Sequence, residues 1–322
     1  MKVKQFLILG GMAILTSLMS SCEKIHDEAQ SCGLYLDFKY DYNMVYADAF
    51  HSQVKKVDVY VFDRDSNFLF KQSADGAQLV DKRYRMRLNV PIGEEKNFIV
   101  MAWAGAVDNF VTELGDKKPK TIKELKLKMQ QQENGINNAD LGNLWYGEIR
   151  DVNYLAQEEQ TETINLIKNT NRFRIILQKV GEGESISVKD LSIRLLTDNS
   201  YYNYKNEIIP THTVGYMPYF TNDIDGVGAV AELNTMRLLK DNPVKLIIRD
   251  NTQNRDLLNV DLMQYLLATQ MEGHKMTAQE YLDRQSEFTI ILFYNVNNEQ
   301  GAFLSAKIII NDWTLWMHGT DI

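Results

Sequence analysis

The sequence predicts a mainly β protein made of two tandem β-sandwich domains, with a short helical insertion in the second. Apolar and polar residues alternate in many short segments, which is the pattern of strands with one buried face. Convincing helical periodicity is confined to residues 257–282. The length of 322 residues also exceeds the size at which a single hydrophobic core usually keeps growing, which favours two domains.

The first 21 residues have the properties of a secretory signal peptide. Lys2 and Lys4 precede an uncharged run from residue 5 to residue 21, and small residues end that run. Glycines and serines interrupt the apolar segment, so a removed signal is favoured over a permanent membrane span. We therefore assign residues 1–21 to a signal peptide and expect export across a bacterial inner membrane.

A cysteine follows this signal directly. Residues 18–22 resemble the lipobox of bacterial lipoproteins, in which the cysteine is acylated and becomes the new N-terminus. Each buried CH₂ of an acyl chain contributes roughly 0.8 kcal/mol, so several chains on Cys22 would hold the protein firmly on a membrane. We expect residues 22–32 to form a lipidated tether.

The second cysteine, Cys32, lies at the end of this tether. The chain has no other cysteines, so acylation of Cys22 leaves no pair for an intramolecular disulfide. A nucleophilic role for Cys32 would need a histidine partner in space, whereas its place beside the tether favours a structural role.

Residues 33–158 form the predicted N-terminal domain. The polar cluster at residues 63–67 predicts a hairpin turn. Thr121 and Glu124 match a helix-capping box, which predicts a short helix. Leu125, Leu127 and Met129 alternate as in a strand, so helix and strand both stay open. Residues 144–147 are expected at an edge or rim. The predicted strands are 34–40, 57–62, 68–70, 84–90 and the nearly continuous apolar run 97–104, which is typical of a central strand.

Residues 159–322 form the predicted C-terminal domain, and the acidic stretch 157–160 marks the boundary. Residues 257–266 have the helical period, and Thr277 with Glu280 predicts the cap of a second helix. Residues 201–220 are expected in a loop. The predicted strands are 161–166, 171–180, 188–196, 244–249, 288–294 and 306–313.

The composition and motifs disfavour several classes of function. The net charge is −8 with scattered Lys and Arg, which disfavours a nucleic-acid partner. The five histidines have no metal-ligand spacing, and neither a nucleophile elbow nor a phosphate-binding loop is present. We therefore predict a protein that is not an enzyme and that has no cofactor and no metal site.

Two pairs of acidic residues are candidate sites. Asp63 and Asp65 have the alternate spacing of calcium ligands, but they lack the Gly and Glu of a calcium loop, so a hairpin turn is favoured. Asp223 and Asp225 could form a glycosidase pair, yet such pairs arise by chance among 43 acidic residues.

Tyrosines are concentrated in the segment that is expected to be a loop. Aromatic residues of this kind dominate binding surfaces and stack on sugars, but they also pack at the rims of cores. Recognition surface and ordinary packing therefore both stay open for Tyr201, Tyr202, Tyr204, Tyr216 and Tyr219.

Several segments together resemble a known family. The residues Cys-Gly-Leu-Tyr-Leu-Asp-Phe-Lys-Tyr-Asp-Tyr-Asn at 32–43, Asp-Ala-Phe at 48–50 and Val-Asp-Val-Tyr-Val-Phe-Asp at 57–63 form the most specific block. Residues 144–147, 279–285 and 308–313 extend the likeness over nearly the whole mature chain. In these segments the sequence resembles the FimB-type fimbrial anchor lipoproteins of the Bacteroidales.

This resemblance implies an outer-membrane lipoprotein with two transthyretin-like β-sandwich domains. Such a protein lies at the base of a type V fimbria, attaches the polymer to the cell and limits its length. Its partners would be fimbrial stalk subunits, joined by strand addition, and the outer membrane, reached through the lipid on Cys22. The family supplies no catalytic residues.

Two alternatives belong to other classes. A surface glycan-binding lipoprotein would use exposed Tyr and Trp residues as a sugar platform, and buried Trp313 and Trp316 would remove one support for it. A glycan or host ligand is therefore kept as a further partner. A lipoprotein hydrolase would need a cleft with converging polar groups, which the sequence does not indicate.

Overall fold

The computed structural model describes residues 33–316, apart from 81–83, 91–95, 107–108, 112–116, 133, 156–158, 182–186, 226–227, 271–274 and 298–300. The signal peptide, Cys22 and Cys32 lie outside the described residues, so the assignments made for them stay predictions. Within the described part, none of the helices has the length and apolar character needed to cross a membrane.

The described residues are mainly β, as predicted. The first strands are β1 (Gly33–Lys39), β2 (Lys56–Asp63), β3 (Phe68–Asp75), β4 (Met86–Arg87), β5 (Lys96–Gly105), β6 (Phe110–Val111), β7 (Leu127–Met129), β8 (Ile136–Asn137), β9 (Leu144–Tyr154) and β10 (Glu159–Lys168). The later strands are β11 (Thr170–Lys179), β12 (Leu191–Thr197), β13 (Tyr201–Tyr202), β14 (Val214–Tyr216), β15 (Phe220–Ile224), β16 (Gly228–Met236), β17 (Lys245–Asp250), β18 (Arg255–Asp261), β19 (Glu287–Asn297), β20 (Gly301–Ile310) and β21 (Trp313–Trp316). The helices are α1 (Phe50–Gln53), α2 (Ala77–Val80), α3 (Leu262–Ala268) and α4 (Ala278–Arg284).

These strands form four sheets in the described part of the chain. The largest has the order β3-β2-β5-β9-β10-β1-β4, and the second has the order β15-β16-β11-β19-β20-β21. A five-stranded sheet runs β18-β17-β12-β14-β8, and a three-stranded sheet runs β13-β7-β6. The six-stranded and five-stranded sheets contribute to one common hydrophobic core.

Hydrophobic side chains form two core clusters. One contains residues between 34 and 166, including the alternate residues Leu34, Leu36 and Phe38 of β1. The other extends from Tyr60 to Ile310 and so includes residues of both halves of the chain. The two halves therefore share part of their buried apolar surface.

The chain passes from the seven-stranded sheet to the six-stranded sheet between β10 and β11. β10 pairs in parallel with β1 and antiparallel with β9, and β11 lies in the six-stranded sheet. Only Asn169 separates β10 from β11. The sequence-based boundary after residue 158 assigned β10 to the second domain, whereas its hydrogen bonds are made in the first sheet.

The halves also exchange short strands. β13, from the later part of the chain, pairs with β7 of the earlier part. In return, β8 of the earlier part pairs in parallel with β14. Main-chain hydrogen bonds therefore cross between the two halves at two separate sheets.

Several predicted elements are confirmed. β2 and β3 form the expected hairpin, and β5 lies between β2 and β9 as a central strand. The cap of α4 is also confirmed, because the Thr277 side chain accepts a hydrogen bond from the Glu280 N–H. The open segment after Thr121 contains both alternatives, a 3₁₀ turn at Ile122–Glu124 and then β7.

Other expectations are wrong. Residues 144–147 begin β9, which is an interior strand between β5 and β10. Leu257 and Leu258 belong to β18, so the first helix begins only at Leu262. The short apolar pairs at 257–258 and 265–266 satisfy the helical period, but pairing with β17 determines the structure of the first pair.

Candidate functional site

The junction between the halves is held by an arginine at the end of α4. The Arg284 guanidinium carbon lies 4.1 Å from the Tyr42 ring centroid and 4.3 Å from that of Tyr46. Its Nη1 donates to the carbonyl oxygens of Asp41 and Asn43, each at 3.2 Å. Arg284 thus joins α4 to the loop that follows β1.

That loop has its own internal support. The Asn43 side-chain amide donates to the carbonyls of Tyr40 and Ala47, at 3.0 and 2.8 Å. The Asp48 carboxylate accepts hydrogen bonds from the N–H groups of Tyr40 and Phe50, both at 3.0 Å. The loop therefore presents its carbonyls and tyrosine rings to Arg284 in a fixed arrangement.

A nearly buried ion pair lies beside this contact. Arg237 donates from Nε and Nη2 to the two carboxylate oxygens of Asp283, both at 2.7 Å. Its Nη1 donates to the Asn206 carbonyl at 3.3 Å. Asn206 in turn exchanges side-chain amide hydrogen bonds with Asn169, the residue between β10 and β11. Residues from distant parts of the chain therefore fix the point where the sheets change.

Lys168 completes the junction. Its Nζ donates to the Ser286 hydroxyl at 3.2 Å and lies 6.0 Å from the Trp145 ring centroid. Burial lowers the pKa of the Lys168 ammonium below its ordinary value, and the charge of Glu287 opposes that shift. Lys168 therefore joins β10 to β9 and to the segment between α4 and β19.

β15 forms an open edge of the six-stranded sheet. It pairs with β16 on one side, and all five of its residues are exposed. Phe220 and Ile224, which are 48% and 40% exposed, lie on the same face because they are four residues apart. In the described part of the chain no second strand pairs with β15, so this edge offers main-chain groups for strand addition beside apolar side chains.

β21 forms the opposite edge of that sheet. Trp313 and Trp316 are both exposed, so the burial that would have weakened the glycan alternative is not seen. Their spacing of three residues places the rings on opposite faces of the strand. The two rings therefore do not form a single flat platform.

A small polar cleft of about 200 Å³ lies near the junction. The Asn234 side chain donates to Asp140 at 2.8 Å, and Arg172 forms an ion pair with Glu232 at its border. The side chains in its lining include Asp140, Asn143, Arg172, Tyr219, Asn234 and Glu287. Such a set can both donate and accept hydrogen bonds.

The tyrosine segment is mainly a packing element. Tyr201, Tyr202 and Tyr216 are buried, and Tyr204 packs against the core cluster. Tyr219 is partly exposed and donates from its hydroxyl to Glu232. Burial also raises the pKa of nearby Tyr146 to about 12. Of the two open interpretations, the structure supports packing for most of these tyrosines.

Asp63 closes a local turn, whereas Asp223 joins β15 to a segment that is distant in sequence. Asp63 accepts hydrogen bonds from the N–H and the side-chain amide of Asn67, which lower its pKa as they close the hairpin. Asp223 accepts from the Ser187 hydroxyl and the Val188 N–H, and these bonds lower its pKa as well. Across the described residues, no group of three or more His, Cys, Asp or Glu side chains is placed to hold a metal ion.

Sequence reasoning missed the open edge and most of the junction. The Asp-Gly pair at 225–226, which precedes the apolar stretch 228–231, is a hairpin-turn signal that could have revealed β15. Arg284 and the loop after β1 both lie in segments that carry the family resemblance. The spacing of more than 240 residues between them gave no sign that they are in contact.

Comparison with known proteins agrees with the family resemblance. The minor fimbrium anchoring subunit Mfa2 of Porphyromonas gingivalis is 21% identical over 328 positions, which cover 98% of this chain and 96% of that protein. A solved structure of the fimbrial anchor protein Mfa2 from the same species has a TM-score of 0.70 at 17% identity, covers 89% of this chain and 99% of its own, and supports the fold.

Two other solved structures are more similar in sequence. A candidate polysaccharide-binding protein from Bacteroides thetaiotaomicron is 34% identical, with a TM-score of 0.80 and coverage of 90% of this chain and 100% of its own. A candidate adhesin from Bacteroides ovatus is 31% identical, with a TM-score of 0.77 and coverage of 94% and 100%.

The Mfa2 relative is an anchoring subunit and the Bacteroides ovatus relative is a candidate adhesin, which confirms the prediction of a protein that is not an enzyme. The model of one family, described as fimbrillin-A associated anchor proteins Mfa1 and Mfa2, matches residues 22–318. Because the match spans nearly the whole sequence from Cys22 onwards, this chain belongs to the family of fimbrillin-A associated anchor proteins.

Proposed function

We propose that this chain is an outer-membrane lipoprotein that anchors the base of a fimbria and limits its length. Its signal peptide, residues 1–21, is removed, and lipid on Cys22 holds the protein in the membrane. Residues 22–32 form the tether. Family membership associates the chain with the cell surface and with fimbrial subunits.

The proposal includes two transthyretin-like β-sandwich domains. We place their boundary at Asn169 instead of after residue 158, because β10 hydrogen-bonds within the seven-stranded sheet. The exchanged strands β8 and β13 would then fasten the two domains to each other.

The observation that carries the proposal is the open edge at β15. A strand of the first stalk subunit would add beside Phe220–Ile224, with main-chain hydrogen bonds providing affinity. Phe220 and Ile224 would contact alternate side chains of the incoming strand. We favour β15 over β21 because its two exposed apolar residues share one face, whereas Trp313 and Trp316 lie on opposite faces.

Lipid anchoring is tested by purifying the protein from its own cells in detergent and identifying what remains bound. Wild-type protein should bring down fimbrial subunits in the membrane fraction. The Cys22→Ala variant should release those subunits into the medium, because no acyl chain retains it. Recovery of the wild type without fimbrial subunits would contradict the anchoring proposal.

The edge is tested with the double variant Phe220→Lys and Ile224→Lys. Two lysines at an edge oppose strand addition, and both positions are exposed, so the protein should fold normally. Recovery of fimbrial subunits should fall, whereas the matched edge variant Leu69→Lys in β3 should bind as the wild type does. If the double variant retained full binding, β15 would not be the contact strand.

A second function, glycan binding, has one specific observation in its favour. The polar cleft near the junction offers carboxylate, amide, guanidinium and phenol groups, and the relative that is 34% identical is described as a candidate polysaccharide-binding protein. Calorimetric titration with surface polysaccharides would test it. Binding that is lost in Asn143→Ala and Glu287→Ala would support the second function.

A further inference from the structure

We propose that β1 and β10 form a load-bearing clamp that passes tension from the lipid tether to the C-terminal half of the chain. The inference rests on the proposed anchoring function, since a membrane at one end and a polymer at the other would pull on the chain. The carrying observations are the parallel pairing of β1 with β10, the direct continuation of β10 into β11, and the Arg284 contact.

The direction of pairing decides how tension would act on the strands. Gly33, where the tether meets β1, lies opposite Glu159 at the start of β10. The other end of β10, Lys168, leads through Asn169 into the middle of the six-stranded sheet. Tension would therefore pull the two parallel strands from opposite ends.

Strands pulled in this way slide past each other in shear. The pairing extends over seven residue pairs, from Gly33 with Glu159 to Lys39 with Asn165, so their hydrogen bonds share the load. If the same strands were pulled from one end, the bonds would break one after another. Leu34, Leu36 and Phe38 are buried, so sliding would also draw apolar side chains out of the core.

Arg284 adds a second path for the load. The loop that it holds follows β1 directly, and α4 precedes β19, which pairs in parallel with β11. When β1 is pulled toward the membrane, Tyr42 and Tyr46 would be drawn away from the Arg284 guanidinium. The contact therefore opposes the motion that shear requires.

The test is unfolding of the isolated mature chain under constant force. In a Cys22→Ala background, Cys32 is the only thiol and immediately precedes β1, so it provides one attachment point. A second thiol from Gln178→Cys, at an exposed position of β11, loads the pair in shear. A second thiol from Glu159→Cys, opposite Gly33, loads the same pair by unzipping.

At one force, the shear geometry should survive more than about tenfold longer than the unzipping geometry. Each hydrogen bond that must break together with its neighbours contributes roughly a factor of five. Both positions are exposed, and the Arg85–Glu159 ion pair that Glu159→Cys removes is accessible to solvent, so the two stabilities in urea should agree within about 1 kcal/mol. Equal lifetimes, or a longer lifetime in the unzipping geometry, would overturn the proposal.

Arg284→Lys provides an independent readout. Loss of the stacked guanidinium should shorten the lifetime in shear roughly tenfold. Unzipping begins at Gly33, far from Arg284 along the strand, so that lifetime should not change. If Arg284→Lys shortened the lifetime equally in both geometries, Arg284 would only stabilise the fold in general and would not carry load. Because no stalk subunit is present, failure here is separate from failure to recover fimbrial subunits.

Discussion

Arg284 stacks on Tyr42 with its guanidinium carbon 4.1 Å from the ring centroid, and this contact joins α4 to the loop after β1. Arg284→Ala should lower the free energy of unfolding by about 2 kcal/mol, because stacking and two hydrogen bonds to carbonyls are lost. Urea unfolding measures the change. The exposed Arg174→Ala should stay within about 0.5 kcal/mol, and a similar loss in both would show that the stacking adds nothing.

The Arg237–Asp283 pair predicts a strongly non-additive result. Asp283→Ala should cost about 3–5 kcal/mol, since it leaves Arg237 nearly buried without its carboxylate. The double variant Arg237→Met, Asp283→Leu should be more stable than Asp283→Ala alone. A double-mutant cycle in urea with Arg237→Met, Asp283→Leu and the two together measures the coupling.

A more exposed pair provides the control for that cycle. Arg249 and Asp256 are 2.7 Å apart but are accessible to solvent. Asp256→Ala should therefore cost less than about 1 kcal/mol. If the cost matched that of Asp283→Ala, burial would not be the reason for the strength of the Arg237 pair.

Gly228 occupies a position that no other residue fits. Its φ is +151°, and an added Cβ would lie 1.8 Å from the Leu177 carbonyl oxygen. Gly228→Ala should therefore cost more than about 3 kcal/mol, as the paired strands β11 and β16 must separate. Thermal unfolding measures it.

Gly215 is the matched control in another strand. An added Cβ there would meet only ordinary contacts, with Leu196 at 3.6 Å. Gly215→Ala should shift stability by less than about 1 kcal/mol. Comparable losses at both glycines would mean that the close approach at Gly228 is relieved without cost.

Lys168 predicts a pH dependence of stability. Its pKa is lowered in the folded protein by burial, so between that value and its ordinary value the unfolded chain binds more protons. The contribution of Lys168 to stability should therefore rise with pH across this window. Lys168→Met removes that contribution and should be more stable than the wild type near pH 7 by about 1 kcal/mol.

The measurement compares urea unfolding of wild type and Lys168→Met at pH 7 and pH 9.5. The stability advantage of Lys168→Met should shrink as the pH rises. The folded wild-type protein releases the Lys168 proton at a lower pH than the unfolded chain does, so the wild type gains stability. An advantage that stays constant or grows with pH would contradict the lowered pKa. The difference between the two free energies of unfolding is used because the buried tyrosines titrate in both proteins, so their effect cancels.

Local sequence patterns predicted most of the strands and helices, but they did not predict which strands pair with each other. Alternation identified β1, where alternate residues meet the core. It also identified β2, although both faces of that strand are buried, each in a different core cluster. It missed β16, whose nine residues are all buried and include Glu232 and Asn234. Polar residues there are satisfied by Arg172 and Asp140, which are distant in sequence, so no local pattern could mark them as interior.

By itself, the sequence determined the mainly β character and the family, and it predicts the signal peptide and the lipid on Cys22, because these depend on local composition and short motifs. Tertiary structure alone decided that β10 belongs to the first sheet, that β8 and β13 are exchanged, and that Arg284 meets Tyr42. Strand partners are set by long-range hydrogen bonds and shared burial, and the energies of such contacts appear only when distant segments come together.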